Sequence, residues 1–316
     1  MIGNMITIML LGGGKRVSLA ELLIESGKKL NVKVNILSYD LSHKVPIALV
    51  GKVIKGLRWS DPAITADIEE IVRKNDVNII LPMVNGSIEV ASRCREKLKN
   101  TFIPVSDLDE ISALFDKADA AKIFKDAGFP IPRTYTVLSA TMPAIAKPRR
   151  GGSSKGIKIF HDMEDLMHLH NLQDYIIQEY VEYKKEYTVD AYIDHKGNIL
   201  TIVPRERIEI MGGESTRTKT CRISEIEELS KKVIEKFRLR GPVNLQFLHD
   251  LDNDRYLLME VNPRLGGAVI CSVLAGSPIT DYIIQESLGL ELQACDTWKE
   301  DTLLARYFKE AVFYEN

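Results

Sequence analysis

Cysteine is scarce: the chain of 316 residues has four, Cys94, Cys221, Cys271 and Cys295, scattered and without a C-x-x-C pair. That excludes a disulfide framework and a zinc knuckle, and makes a reducing cytoplasm the expected compartment. An excess of charge is also missing, since 42 Lys and Arg stand against 44 Asp and Glu for a net charge of −2. A nucleic-acid binder working by bulk charge is thereby excluded. No apolar stretch approaches the ~20 residues that cross a bilayer, so no membrane partner is expected. The apolar segment Met5 to Leu11 lacks a basic flank and a cleavage site, and is expected as a buried first strand rather than a signal peptide. There is no internal repeat and no low-complexity segment.

With 45% hydrophobic and 27% charged residues the composition is that of a globular protein able to bury a core. At ~150 residues per domain the length predicts about two domains. Strand and helix periodicities alternate at first: strand Met5 to Leu11, helix Val17 to Leu30, strand Val32 to Ser38, a short run Lys52 to Ile54, helix Asp67 to Asn75, strand Asn78 to Met83, helix Ser87 to Leu98 and strand Phe102 to Val105. Continuous apolar strands between helices imply a parallel sheet covered on both faces, so residues 1–106 read as a Rossmann-like domain. The rhythm then changes. A helix is expected from Asp109 to Ala127, then strands at Tyr135 to Leu138 and Ala144 to Lys147, and hairpins pairing Glu186 to Tyr192 with Asn198 to Val203 and Val243 to Leu248 with Tyr256 to Val261. This second part is α+β and largely antiparallel. Ser224 with Glu227 forms a capping-box pattern, and Ser277-Pro278 marks another helix start.

Three elements carry candidate chemistry. Gly12-Gly13-Gly14 after the first strand completes neither G-x-G-x-x-G nor a P-loop, and is read as a tight turn. Asp40, where a dinucleotide enzyme would bind ribose, is read as a loop cap. In the second element a strand delivers Lys147 to the basic Gly/Ser loop Arg149 to Gly156, which could cradle a polyphosphate or be only a mobile hairpin. In the third, Glu260, Asn262 and Arg264 alternate along one strand, so they share a face, and Gln246 on the partner strand can join them. Oxygen ligands and a cation inside an apolar frame of Val243, Leu245, Phe247, Leu258 and Val261 suit magnesium and phosphate. Arg205 and Arg207 alternate on another strand and face either a substrate carboxylate or solvent. Asp250-x-Asp252-x-Asp254 is read as a turn, because Arg255 occupies the glycine position of a calcium loop. The six histidines show no metal spacing.

Five ordered elements together resemble the ATP-grasp superfamily, in particular its carboxylate-amine ligase and carbamoyl phosphate synthetase-like branch. They are Asp116-Lys117 with the helix to Gly128-Phe129-Pro130-Ile131-Pro132; Lys147 with its loop; Gln178-Glu179-Tyr180-Val181 followed by Glu186; Gln246; and Glu260-Val261-Asn262-Pro263-Arg264. The resemblance covers roughly residues 1–290. It implies an N-terminal Rossmann-like pre-ATP-grasp domain (1–106) and a two-subdomain ATP-grasp fold, with a small lid-bearing subdomain (107–181) and a large subdomain holding the metal site and C-terminal tail (182–316). It further implies that Lys117 and Lys147 hold ATP phosphates under a lid including Gly151, Gly152, Ser153 and Ser154. Glu179, Tyr180 and Val181 would flank the adenine, with Glu179 and Val181 offering it backbone groups, and Glu186 would accept from the ribose. Gln246, Glu260 and Asn262 would bind two Mg²⁺ or Mn²⁺ ions. Arg264 would act with Lys147 in catalysis, and Arg205, Arg207 and Arg264 are the candidates for contact with substrate. Gln246 and Gln178 stand where many branches have acidic residues.

The implied reaction is activation of a small carboxylate as an acyl phosphate for attack by an amine, plausibly an amino acid. Bicarbonate or carbamate as phosphoryl acceptor is the alternative, and a non-catalytic ATP-binding regulator is a reading from another class. A nicotinamide dehydrogenase is disfavoured by the missing third glycine. A full carbamoyl phosphate synthetase does not fit this length, and a homodimer is implied by resemblance alone.

Overall fold

The computed structural model describes residues 5–152 and 155–314. The first part runs β1 (Met5–Leu11), α1 (Val17–Lys29), β2 (Lys33–Asp40), β3 (Lys52–Lys55), α2 (Ile64–Lys74), β4 (Val77–Pro82) and α3 (Asn85–Lys97). The four strands pair in parallel in the order β3-β2-β1-β4. Alternation along β1 sends Ile8 and Leu10 to the face covered by α1, and Met9 and Leu11 to the face covered by α2 and α3. The strand expected at Phe102 to Val105 reduces to one parallel bridge between Phe102 and Ile79. Pro104 has no N–H to extend the ladder, and its carbonyl turns toward Gly241.

The helix expected from Asp109 to Ala127 is broken into α4 (Leu108–Ile111), a 3-10 turn at Ser112–Phe115 and α5 (Lys117–Asp126). Asp116 is extended, and its carboxylate accepts from the N–H groups of Ala118 and Asp119. The backbone there is captured by a cap instead of continuing the helix.

A small antiparallel sheet follows in the order β5-β8-β6-β7, from β5 (Thr134–Tyr135), β6 (Ala144–Pro148), β7 (Lys158–Phe160) and β8 (Tyr175–Glu179), packed on the short α6 (Met163–Met167). The expected strand at Tyr135 to Leu138 stops early, because Ser139 Oγ takes the Thr136 N–H and coils residues Val137–Ser139 into a 3-10 turn.

The large sheet is antiparallel throughout, in the order β13-β12-β9-β10-β11-β14. Its elements are β9 (Lys184–Ile193), β10 (Ile199–Met211), β11 (Glu214–Thr220), α7 (Ser224–Lys236), β12 (Gly241–Asp250), β13 (Arg255–Asn262), α8 (Val269–Leu274), α9 (Ile279–Ser287) and β14 (Leu303–Ala305). Both expected hairpins form, and β14 is an edge strand too short to show in the sequence. Ser224 starts α7 without capping it, since the N-cap is Ile223. Pro278 is the N-cap of α9 rather than its first residue, and Ser277 Oγ is paired with Thr201 Oγ1 in the core. Helices α8 and α9 return to the N-terminal sheet, where Ser26 Oγ donates to Thr280 Oγ1 at 2.9 Å and Val269, Ile279 and Ile283 join the α1 core. All four cysteines are free, and no helix among the described residues is long and apolar enough to cross a membrane.

Candidate active site

The β12–β13 hairpin sets the floor of the site. Its register places Gln246 opposite Glu260, as expected, and also Asn244 opposite Asn262. In front of it lies a cavity of about 610 Å³, within the usual range for small-molecule sites. Glu260 is half-buried and its carboxylate makes no hydrogen bond or ion pair with the described residues, although its charge is felt by Lys147, Arg207 and Arg264. Asn262 is 2% exposed; its Oδ1 accepts weakly from Arg264 Nη2 at 3.4 Å and its Nδ2 has no partner. Gln246 is differently placed, because its Oε1 accepts from Arg207 Nη1 at 3.2 Å. Arg264 lies just past β13, with Nε on Asn85 Oδ1 at 2.8 Å and Nη1 on the Leu265 carbonyl at 3.0 Å. Burial, aided by the nearby Arg16 charge, brings its guanidinium down to about 10.

The facing wall comes from the small sheet. Lys147 on β6 donates to Gln178 Oε1 on β8 at 3.1 Å, and burial lowers its ammonium to about 8 against the pull of Glu186 and Glu260. Lys117, at the start of α5, donates to the Gly151 carbonyl at 2.9 Å, and its N–H donates to the Arg149 carbonyl. Gly152 lines the cavity beside Gly151, while Ser153 and Ser154 lie outside the described residues. The chain crosses between the two sheets from Glu179 to Lys184. The Glu179 carboxylate is spent on the Arg133 N–H and Arg255 Nη2, and Tyr180 N–H donates to the Pro143 carbonyl. Val181 N–H has no partner among the described residues, so the edge of this crossing keeps a free donor. Lys184 donates to the Val181 carbonyl and covers the Tyr180 ring at 4.4 Å.

Neither Arg205 nor Arg207 is solvated, and the two do not act as a pair. Arg205 is 1% exposed and is held by Asp190, Ser272 and Thr218, although it still borders the cavity. Arg207 bridges Glu186 Oε2 at 3.1 Å and Gln246 Oε1, which ties the candidate ribose acceptor to the candidate metal ligand.

The glycine run is a tight turn in which two of the three N–H groups are used internally. Gly12, at φ +82°, donates to the Tyr39 carbonyl, and Gly14 to Asp40 Oδ1, as befits a loop cap. A Cβ on Gly13 would meet Leu10 Cβ at 2.6 Å, so close packing requires that glycine. The Asp250 carboxylate accepts from the N–H groups of Asp252 and Asn253 and from Arg255, which makes that acidic run a hairpin turn.

Sequence reasoning missed Gln178 as the partner of Lys147, and missed Lys184, Arg16 and Asn85 altogether. Arg16 follows β1 and Asn85 follows β4. The carboxyl ends of neighbouring parallel strands are where open sheets bind ligands, and that rule was the available signal.

A profile described as "ATP-grasp in the biosynthetic pathway with Ter operon" matches residues 171–309, the stretch holding the large sheet and the Gln246–Glu260 hairpin. The carbamoyl phosphate synthase large chain of Bifidobacterium animalis subsp. lactis is 24% identical over 270 residues, covering 74% of this chain and 24% of its own length. That of Thermoplasma acidophilum is 26% identical over 269 residues, covering 74% and 25%. N5-carboxyaminoimidazole synthetase from Staphylococcus aureus, solved with ADP, superposes with a TM-score of 0.74 at 20% identity over 91% of this chain and 78% of that one. Residues 171–309 belong to the ATP-grasp superfamily, and 91% of the chain shares the fold of that synthetase. A further structural neighbour is the biotin carboxylase domain dimer of Hydrogenobacter thermophilus 2-oxoglutarate carboxylase, solved with MgADP and bicarbonate, with a TM-score of 0.72 at 16% identity over 93% and 71% of the two chains. The chain spans about a quarter of the length of the curated relatives it matches.

Proposed function

We propose that the chain is an ATP-dependent ligase that phosphorylates a small carboxylate and passes the acyl group to an amine. The observation that carries this is the uncommitted Glu260 carboxylate facing three cations, Lys147, Arg207 and Arg264, across one cavity. In this reading residues 1–106 form the Rossmann-like domain, 107–181 the lid-bearing subdomain and 182–316 the large subdomain. Val181 and Glu179 offer backbone groups to the adenine beside Tyr180, and Glu186 takes the ribose. Lys117 and Lys147 hold the phosphates, with Gly151 and Gly152 in the lid, and Arg264 stabilises charge on the transferring phosphoryl group.

A divalent ion fits the donors present, because Glu260 is unpaired and the Asn262 amide is only weakly bound. Among the described residues there is no group of three His, Cys, Asp or Glu that could hold a metal, so one carboxylate and amide oxygens would be its protein ligands. Mg²⁺ would be held by Glu260 and Asn262, and by Gln246 once released from Arg207, and would supply charge neutralisation. Arg205, paired with Asp190 at the cavity wall, would serve mainly as a positioning residue, leaving Arg207 and Arg264 as the foremost candidates for substrate contact.

The test is ATP-dependent phosphate release across a matrix of carboxylates, bicarbonate included, and amines, with Mg²⁺ and beside Glu260→Ala. Release that requires one pair and falls at least about 100-fold in the variant supports the ligase; release unaffected by the substitution would overturn these roles. Bicarbonate as the carboxylate is the second reading, favoured by the similarity to carbamoyl phosphate synthase large chains, and phosphate release with bicarbonate alone distinguishes it. Homodimerisation belongs to the same proposal, and a monomer in sedimentation velocity would refute it.

A further inference from the structure

The parallel sheet has its topological switch between β1 and β4: β1, β2 and β3 proceed outward in one direction, and β4 lies on the other side of β1. Loops leaving the carboxyl ends of the two strands at such a switch diverge and open a crevice. Here the loop after β1 delivers Arg16 and the loop after β4 delivers Asn85 and Gly86 at the start of α3, and all three line the large cavity. The N–H groups of Asn85 and Gly86 are the first of a 13-residue helix and have no acceptor among the described residues. Arg264 arrives from the opposite side and is fixed by Asn85 Oδ1 at 2.8 Å. Arg16 Nη1 donates to the Gly267 carbonyl at 3.1 Å, and Glu214 stands at 3.8 Å from its Nη2.

Two guanidinium groups thus share a half-buried corner with no carboxylate hydrogen-bonded to either of them among the described residues. Both side chains line the same cavity. The third observation is independent: Asn262 Nδ2, on a side chain 2% exposed in the same cavity, is a donor without an acceptor. Like charges, free helix N–H groups and an orphan amide all await negative charge.

We propose that this corner is an anion subsite for the second substrate: the amine carries a carboxylate or phosphate group, gripped by Arg16, Arg264 and the N-terminus of α3. This rests on the ligase reading and adds the chemical class of the nucleophile. Its arrangement holds the acceptor's fixed charge at the seam between the parallel sheet and the Gln246–Glu260 hairpin, so the amine reaches toward the metal-binding face. Glu214, at the tip of the β10–β11 hairpin and paired with Arg306 at 2.7 Å, supplies the opposing charge while the subsite waits.

The test is a thermal-shift titration in saturating MgADP, which fills the α- and β-phosphate positions, with inorganic phosphate and succinate as separate probes; phosphate that entered the γ-phosphoryl position instead would be insensitive to Arg16→Gln. The parent is expected to gain a further saturable shift with at least one probe, and which one tells phosphate from carboxylate. Arg16→Gln is expected to weaken that probe about tenfold, the loss of one charge-assisted contact. Asn85→Asp serves as the second variant. It places a negative charge in the subsite but suits the helix N-terminus, so it is expected to remove the probe effect while the MgADP shift persists. No added shift in the parent, or equal probe affinity in both variants, overturns the subsite and leaves the ligase standing. Absence of any MgADP shift would instead overturn the ATP-binding reading beneath it.

Discussion

Lys147 shows how much of a residue's behaviour is set by its surroundings. Its ammonium titrates near about 8 in the native state against an ordinary 10.5. Below about 8 the folded protein must keep a desolvated charge that the unfolded chain holds in water. Between about 8 and 10.5 the native lysine has lost its proton while the unfolded one has not, so this penalty is relieved as pH rises. Lys147→Met is therefore expected to melt higher than the parent at pH 7, with the advantage shrinking above pH 9. Nucleotide binding runs the other way, because only the ammonium attracts phosphate. ADP affinity is expected to fall as pH rises through about 8 in the parent and to be weaker with a flatter profile in Lys147→Met, as calorimetry at several pH values would show. Asp190 and Arg205 form the opposite kind of charge, fully paired and remote from solvent. Asp190→Ala strands a guanidinium in the core and is expected to cost about 3–5 kcal/mol in urea unfolding. Asp190→Leu combined with Arg205→Met is expected to recover much of that loss.

Among the elements, those with one clear period were legible and those ended by a local side-chain contact were not. β1, α1 and β6 fall within a residue or two of expectation because each is long or uniformly apolar enough for its period to dominate. The break at Asp116 was hidden, since apolar positions continue through Phe115 while the cap depends on one carboxylate finding two N–H groups. Glycines divide in the same way. Gly128 ends α5 at φ +81° with open space around it, so Gly128→Ala is expected to cost about 1 kcal/mol. Gly241 has φ +69°, and a Cβ there would meet the Pro104 carbonyl oxygen at 2.1 Å. Gly241→Ala is expected to cost more than about 3 kcal/mol, because backbone cannot yield as a flexible side chain can. Chemical denaturation of the two variants side by side checks the contrast.

At the scale of the whole molecule, the parallel sheet at the N-terminus is completed by helices from the far end of the chain. Ile8, Leu19 and Leu23 share their core with Val269, Ile279 and Ile283, and Lys29 pairs with Asp281 at 2.9 Å. A fragment of residues 1–106 is accordingly expected to be poorly folded and to aggregate, because α1 loses the cover of α8 and α9; circular dichroism and light scattering would detect this. The same closure puts Arg16, Asn85 and Arg264 in one corner from positions up to 248 residues apart.

The alternation of Glu260 with Asn262, the strand carrying Lys147 and the order of the elements were readable because strand geometry and chain order are local properties of the sequence, whereas Arg264 lies past the end of β13 and reaches the cavity by the turn that follows. Which oxygens stay free was decided by tertiary contacts: Arg207 occupies Gln246, Arg205 is consumed by Asp190, and Glu260 is left unpaired. The sequence states which polar groups a strand presents, whereas their partners come from other strands and helices. Only the assembled fold settles which groups are satisfied internally and which remain for a ligand.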